Sequence, residues 1–411
     1  MGRATGKANW KGQREKPVKG GVVVADEIAA ENKREAKGKR AVAAGHICID
    51  ITPLFPKGST GEAGRILAPG QLVQMDGVNI HPGGAVANTG LAMKHLGVDV
   101  RLMGKIGKDE LGTLILNCLE KYGAAEGMIL ADQEKTSYSV VLAIPGIDRI
   151  FLHDPGANVN FSGSDLDFEA IKEADLFHFG YPTLMQNMYR NQGEEMARMF
   201  RQIKKGGTAI SLDMAAIDPA SKAAGADWKG ILGNILPYVD FFVPSAEELC
   251  FMLDGERYRE WTRRADGRDV TEVIRVRDVK PLGQMALDMG ARVVLIKCGA
   301  LGIYYRTACK NGIEDMCRQL NLSMEAWKGK EGFEPSFEPD TVVSATGAGD
   351  TSIAAFLASV LREADLKEAV EMAAAEGACC VAAYDALSGL RSLEEMKERI
   401  RKGWSKREYR P

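Results

Sequence analysis

The chain has 411 residues, 45% hydrophobic and 27% charged, a balance that excludes wholesale disorder. Its formal charge of −3 is unevenly placed: residues 1–40 hold 11 Lys/Arg against 5 Asp/Glu, and the other 371 hold 42 against 51. An acidic body excludes duplex-DNA binding by that body, because phosphate contacts need clustered positive charge.

Residues 1–40 surround one short apolar run, Val22–Val24, and read as a basic, flexible tail, or as an arm for an anionic partner. They lack the apolar core of a secretory signal, and no run in the chain reaches the ~18 residues of a membrane span. The eight cysteines form no Cys-x-x-Cys pair, and the five histidines are not clustered with them. Zinc spacing is therefore absent, and buried free thiols in a reducing cytoplasm are expected.

After the tail, apolar runs predict strands at Ala41–Ile49, Val98–Met103, Tyr138–Ile144, Leu176–Phe179, Ala209–Leu212, Asp240–Val243 and Val293–Lys297. Amphipathic helices are predicted between them. One is Asp109–Tyr122, with Leu111, Leu114, Ile115, Cys118, Leu119 and Tyr122 on one stripe. Another is Gly347–Arg362, preceded by a short β run at Thr341–Val343. Strands alternating with helices imply an open, mostly parallel sheet with helices on both faces. Residues 50–82 and 136–161 read as β-rich excursions from that sheet. Residues 254–281, densely charged, and 308–338, polar and irregular, read as surface insertions, and 404–411 as a C-terminal tail.

The strongest chemical pattern is Thr346-Gly347-Ala348-Gly349-Asp350-Thr351, which opens the last of these helices. Small residues let backbone approach a ligand closely, and the free N–H groups of a first helical turn favour an anion. A carboxylate placed there repels bound phosphate, so Asp350 makes sense as a base that takes a proton from an attacking hydroxyl. A helix cap after a glycine turn is the plainer alternative. The dinucleotide pattern G-x-G-x-x-G/A is nearly met, but no complete βαβ half follows it. A second pattern, Gly83-Gly84 followed by Asn88, begins a small-residue helix, and the Asn88 amide suits a polyhydroxylated ligand or a helix cap.

Together, in this order and about 260 residues apart, the two patterns resemble the signatures of the ribokinase-like (PfkB-type) sugar and nucleoside kinases. Gly45–Asp50, Gly104–Gly112 and Lys297–Gly302 match further family segments, and the resemblance spans most of residues 41–390. It implies one three-layer α/β/α domain over 41–403 with a mostly parallel central sheet and a small β lid formed by 50–82 and 136–161. It implies ATP-dependent phosphorylation of a small sugar or sugar acid with Mg2+. Asp350 would be the general base, with Gly347, Ala348 and Gly349 as the anion hole. Asp50, Gly83, Gly84, Asn88 and Asn158 would hold the substrate. Lys297, Gly299, Gly302 and Ser245 would line the nucleotide, and Glu248 would reach the metal through water.

Two departures stand out. Ser344-Ala345 replace the family's Asp-Thr, which puts the monovalent-cation site in doubt, and Ser245 replaces the Asn of Asn-x-x-Glu. A nucleoside kinase or a catalytically silent sugar or nucleotide sensor are the other functions weighed, and retention of Asp350 and Glu248 argues against the silent sensor. His153, Asp154 and Arg149 in the second lid segment are candidates to meet a sugar-acid carboxylate. A homodimer paired through the lids is expected by analogy with the family, and neither a membrane nor a nucleic-acid partner is expected for the body.

Overall fold

The computed structural model describes residues 38–56, 68–144, 150–309 and 312–409. Most of the predicted basic tail, Arg149 and the Pro145-Gly146 turn lie outside the described residues.

The strands are β1 (Arg40–Gly45), β2 (Cys48–Leu54), β3 (Gly77–Gly83), β4 (Asp99–Gly107), β5 (Ile129–Ala131), β6 (Tyr138–Leu142), β7 (Ile150–Asp154), β8 (Leu176–Gly180), β9 (Ala209–Asp213), β10 (Phe241–Phe242), β11 (Val293–Lys297), β12 (Gly302–Thr307) and β13 (Glu331–Pro335). The helices that bear on the site are α1 (Gly84–His95), α2 (Glu110–Glu120), α3 (Glu194–Gly206), α4 (Ala246–Leu253), α5 (Gly255–Ala265), α6 (Ala348–Leu361) and α7 (Leu366–Cys380).

Nine strands form the main sheet in the order β13-β12-β11-β10-β9-β8-β1-β4-β5. All neighbours are parallel except β11–β12 and β12–β13. From β1 the chain moves one way to β4 through α1, and the opposite way from β8 to β9 through α3. Right-handed crossovers running in opposite directions place their helices on opposite faces, which produces the α/β/α layering. They also make β1 the switch point of the sheet. Ligands of open α/β sheets bind at the carboxyl ends of strands at such a point. There Gly45 sits level with Gly104 of β4 and Gly180 of β8.

The four strands β3-β2-β6-β7 form a separate small sheet over the same end. Its pairing puts His81, Asp50, Ser139 and His153 in one cross-strand row, and Ile80, Ile51, Val140 and Leu152 in the next. Alternate rows face opposite sides, so one face of the sheet is polar at this level and the other apolar. Asp109 ties this sheet to the core. Its carboxylate caps α2 at Gly112 N (2.9 Å) and accepts from Thr136 Oγ1 (2.6 Å), just before β6.

Several expectations need correction. The single strand predicted at Ala41–Ile49 is two strands, broken at His46-Ile47, because the chain leaves the main sheet there for the small one. Thr341–Val343 forms no strand. The segments read as polar insertions contribute to the core. Trp261 of α5 and Trp327 are fully buried, and β13 extends the main sheet as its edge strand. Trp404, in the expected C-terminal tail, stacks on Phe337 at 4.5 Å. Helix α6 is buried all round from Asp350 to Leu361, where periodicity predicts one stripe. It packs between α1 and α7, which explains its lack of a polar face.

Candidate active site

The last turn before α6 presents Asp350 to the carboxyl end of β1. Gly347 makes this turn in the left-handed region at φ 76, and a Cβ there would collide with Ala386. No other residue type fits both demands. The N–H of Gly349 points out of the first helical turn, where no intrahelical acceptor exists. The N–H of Ala348, one of the three expected anion donors, turns back to the Ala345 carbonyl at 3.3 Å.

Asp350 is 3% exposed. Its carboxylate accepts from Tyr181 Oη at 2.7 Å, from Asn88 Nδ2 at 2.9 Å and from Thr89 Oγ1 at 3.5 Å. Burial raises its pKa above the ordinary aspartate value, while these donors and the Lys297 ammonium pull the other way. A raised carboxylate is a better proton acceptor.

On the lid side, Asp50 stands opposite His81 in the β2–β3 pair. Burial raises its pKa too, against the hydrogen bonds from Cys48 and Ser139, and the nearby Asp350 adds to the rise. Gly83 leaves the space that the Asp50 carboxylate fills, and Gly84 (φ 83) turns the chain into α1 beside His46. Asp50, Gly83, Gly84 and Asn88 therefore converge on Asp350.

Asn158 does not join them. Its amide is fully engaged with backbone, donating to Ile47 O (2.9 Å) and Pro155 O (3.0 Å) and accepting from Ile47 N (3.2 Å). It bolts the turn after β7 to the β1–β2 junction, as turn-forming Asn residues do.

Lys297 ends β11 beneath the start of α6, where a Cβ on Gly349 would lie 3.7 Å from its Nζ. The ammonium donates to Asp213 Oδ1 at 2.7 Å. Burial lowers its pKa, and the carboxylates of Asp213, Glu248 and Asp350 more than reverse this. Burial pushes the Asp213 carboxyl up, with Lys297 offsetting part of the rise. Lys297 thus faces the first turn of α6 and Asp213 rather than the β11–β12 turn. Gly299 and Gly302 form the tight turn between β11 and β12 beyond it.

Ser245 and Glu248 form a reciprocal cap on α4: Ser245 Oγ accepts from Glu248 N (3.2 Å) and Glu248 Oε2 from Ser245 N (2.7 Å). The Ser245 oxygen accepts in this cap, and its O–H remains a donor. Glu248 stays within electrostatic reach of Lys297 and Asp350. Ser344 Oγ accepts from Thr346 N at 3.1 Å, a local turn in place of the family's carboxylate.

Sequence reasoning missed Tyr181 and Asp213. Tyr181 directly follows β8 and Asp213 ends β9, at the edge where ligands collect in α/β sheets. Tyr181 also has a positive φ of 65, unusual for a bulky residue, at the turn that brings its hydroxyl to Asp350.

A fructokinase-2 of Oryza sativa is 26% identical over 377 residues, covering 89% of this chain and 95% of that protein. The ribokinase of Arabidopsis thaliana, solved with ribose and ATP, superposes with a TM-score of 0.64 at 18% identity, over 90% of this chain and all of that one. The ATP-bound fructokinase of Xylella fastidiosa gives 0.61 at 18% identity, over 89% and 99%. Both share the fold described above. The family model described as pfkB family carbohydrate kinase matches residues 39–392, which contain both glycine motifs, the small sheet and the buried Asp350. The chain belongs to the pfkB family of carbohydrate kinases.

Proposed function

We propose that this kinase transfers the γ-phosphoryl group of ATP to a hydroxyl of a small sugar, with Asp350 as the general base. The observation that carries the reading is Asp350 itself, a buried carboxylate held by Tyr181, Asn88 and Thr89 at a helix start, between Asp50 and Lys297. The names of the relatives, fructokinase and ribokinase, support a sugar as acceptor. The ATP in two of the solved neighbours supports ATP as donor.

In this mechanism Asp50 orients the sugar so that one hydroxyl meets Asp350. The proton passes to the Asp350 carboxylate as the sugar oxygen bonds to the γ-phosphorus. The bond from that phosphorus to the β,γ-bridging oxygen breaks, and ADP leaves. Charge on the transferred group is met by the N–H groups of Gly347 and Gly349 and by the Lys297 ammonium. The four-stranded sheet closes over the acceptor and keeps water from competing for the phosphoryl group.

Mg2+ fits this site. Asp213 Oδ2 is buried without a hydrogen-bond partner among the described residues, and Glu248 is within electrostatic reach of it. Mg2+ usually takes one or two carboxylates, partly through water. Asp213 and Glu248 would hold it, and it would supply charge neutralisation on the phosphates.

The test is ADP release by the purified chain with ATP and Mg2+ across uncharged sugars, sugar acids and nucleosides. ADP release that depends on a sugar is the expected result. Turnover of nucleosides alone, or of nothing in the panel while an ATP analogue still raises the thermal midpoint, refutes the sugar-kinase reading.

A further inference from the structure

The hydrogen bonds on Asp350 are not shared evenly between its two oxygens. Oδ1 accepts from Tyr181 Oη at 2.7 Å and from Thr89 Oγ1 at 3.5 Å. Oδ2 accepts from Asn88 Nδ2 alone among the described residues, at 2.9 Å. An ionised carboxyl has about four lone-pair positions, a pair on each oxygen. Those of Oδ1 are therefore filled, and one on Oδ2 stays open. Asp350 itself is only 3% exposed, so a proton donor has one direction of approach.

Tyr181 is fixed for this contact from its backbone outward. It is half-buried and directly follows β8, with a left-handed backbone at φ 65 between Gly180 and Pro182. A bulky residue keeps such a conformation only where its surroundings over-determine it. Here its N–H donates to Asp213 O at 3.2 Å, and its carbonyl accepts from Leu184 N at 3.1 Å. Thr183 locks the turn that follows, donating to Ala215 O at 3.0 Å and accepting from Ala215 N at 3.2 Å. The ring stands 6.1 Å from that of His46. With backbone and ring held, the hydroxyl ends on Oδ1.

We infer that Tyr181 is a positioning residue for phosphoryl transfer: it holds Asp350 by Oδ1, leaves Oδ2 as the oxygen that takes the acceptor's proton, and so withholds the base from water. This rests on the sugar-kinase reading and goes beyond it by assigning the reacting oxygen and the residue that sets sugar apart from water. A sugar oriented by its other contacts presents one hydroxyl to the open position beside the Asn88 amide. The proton passes to Oδ2 as the sugar oxygen bonds to the γ-phosphorus and the bond to the β,γ-bridging oxygen breaks. Without the Tyr181 hydroxyl, Oδ1 gains an open position and the carboxylate plane loses a restraint. A water, which needs no orienting contacts, then gives its proton there. Burial raises the Asp350 pKa, and among the groups that oppose the rise the Tyr181 hydroxyl comes first.

The test is a double-mutant cycle of the wild type, Y181F, D350N and Y181F/D350N, with T89V as a milder loss at the same oxygen. ADP release is measured at saturating ATP and Mg2+, with and without the fastest sugar of the panel above, and thermal melting is recorded on each protein. Y181F should lower the sugar-dependent kcat about 10–100-fold, the effect of one hydrogen bond to a charged group, with little change in the sugar KM. Its ADP release without sugar should rise in absolute terms. In the D350N background the same change should move neither rate, because Tyr181 acts through the carboxylate. T89V should shift both rates in the same directions by a smaller factor, and it carries the prediction should Y181F not fold. Two rates that fall together with the midpoint make Tyr181 a packing residue and overturn the inference. A raised KM with kcat retained makes it a sugar contact and overturns it too, as do equal losses of kcat in the wild-type and D350N backgrounds. A wild type with no sugar-dependent ADP release overturns the kinase reading and the inference with it, whereas an active wild type whose Y181F and T89V variants match it overturns the inference alone.

Discussion

Replacing Asp350 by Asn separates the proton-accepting role of this side chain from its place in the packing. In the wild type one carboxylate oxygen accepts from Tyr181 and Thr89, and the other from the Asn88 amide at 2.9 Å. An Asn at 350 keeps one oxygen for Tyr181 and Thr89. Its NH2 group then meets the Asn88 amide, which turns over to present its own oxygen. The network survives, and a charge that burial disfavours is gone. Because the folded-state pKa of Asp350 is raised, its ionised form destabilises the fold increasingly as pH rises through that pKa. D350N is therefore expected to melt no lower than the wild type at neutral pH and above. Its chemistry should fail, because an amide takes no proton. Losing a general base costs about 10²–10⁴ in rate, or about 3–5 kcal/mol of barrier at ~1.4 kcal/mol per tenfold. The assay is coupled ADP release at saturating sugar and ATP over about pH 5–9, with calorimetry on the same samples. Wild-type kcat should fall as pH drops through the Asp350 pKa, above the ordinary aspartate value, while D350N shows a low and pH-independent rate. A D350N variant within tenfold of wild type, or one that keeps the wild-type acid limb, refutes the assignment. Asp350→Ala is a poorer probe, since it leaves the Tyr181 hydroxyl and the Asn88 amide unpaired at about 1–3 kcal/mol each.

Lys297→Met should destabilise the chain by about 3–5 kcal/mol, because it strands the buried Asp213 carboxylate. Adding Asp213→Asn should recover most of that loss in urea unfolding, and an equal loss in the single and double variants would show that the two side chains are not a pair. Glu376 is fully buried in α7, with one oxygen accepting from Arg391 N at 3.0 Å and the other unpaired among the described residues, and its pKa is pushed up to about 8 by burial. A raised carboxyl leaves stability intact below its ordinary value of 4.5 and erodes it as pH rises toward 8. Glu376→Gln should therefore gain a few kcal/mol over the wild type at pH 8, since each tenfold change in an ionisation constant is worth about 1.4 kcal/mol, and nothing near pH 4.5. Parallel stability curves for the two proteins across that window would contradict the argument.

The parts of the site that sequence could reveal are those written as local patterns. Gly347-Ala348-Gly349-Asp350 and Gly83-Gly84 each encode a backbone shape and a helix start within a few residues, and composition alone marks them. That both patterns serve one site was legible only through the family resemblance, since Asn88 and Asp350 are 262 residues apart. Tyr181 and Asp213 left no pattern at all. Each is a single polar residue at the end of an apolar run, and each gains its role only because the sheet order brings β8, β9 and β11 beside β1. The insertions failed for the opposite reason. Dense charge in α5 hid the one face that buries Trp261, because a helix with so few apolar residues looks solvated when only composition is weighed.

Ser245-Ala246-Glu247-Glu248 shows why such ambiguity is physical. Serine followed three residues later by glutamate is the spacing of a reciprocal helix cap, and it is also the spacing the family uses near metal and phosphate. The structure satisfies the cap, with both hydrogen bonds made. The two roles do not compete for the same atoms. The cap engages Oε2 of Glu248 and so fixes the carboxylate's plane and position, in the cluster that holds Lys297, Asp213 and Asp350. A carboxylate oriented by its own helix start loses little freedom when it meets a hydrated cation. The serine that replaces the family's asparagine therefore lacks its amide and retains the device that fixes Glu248.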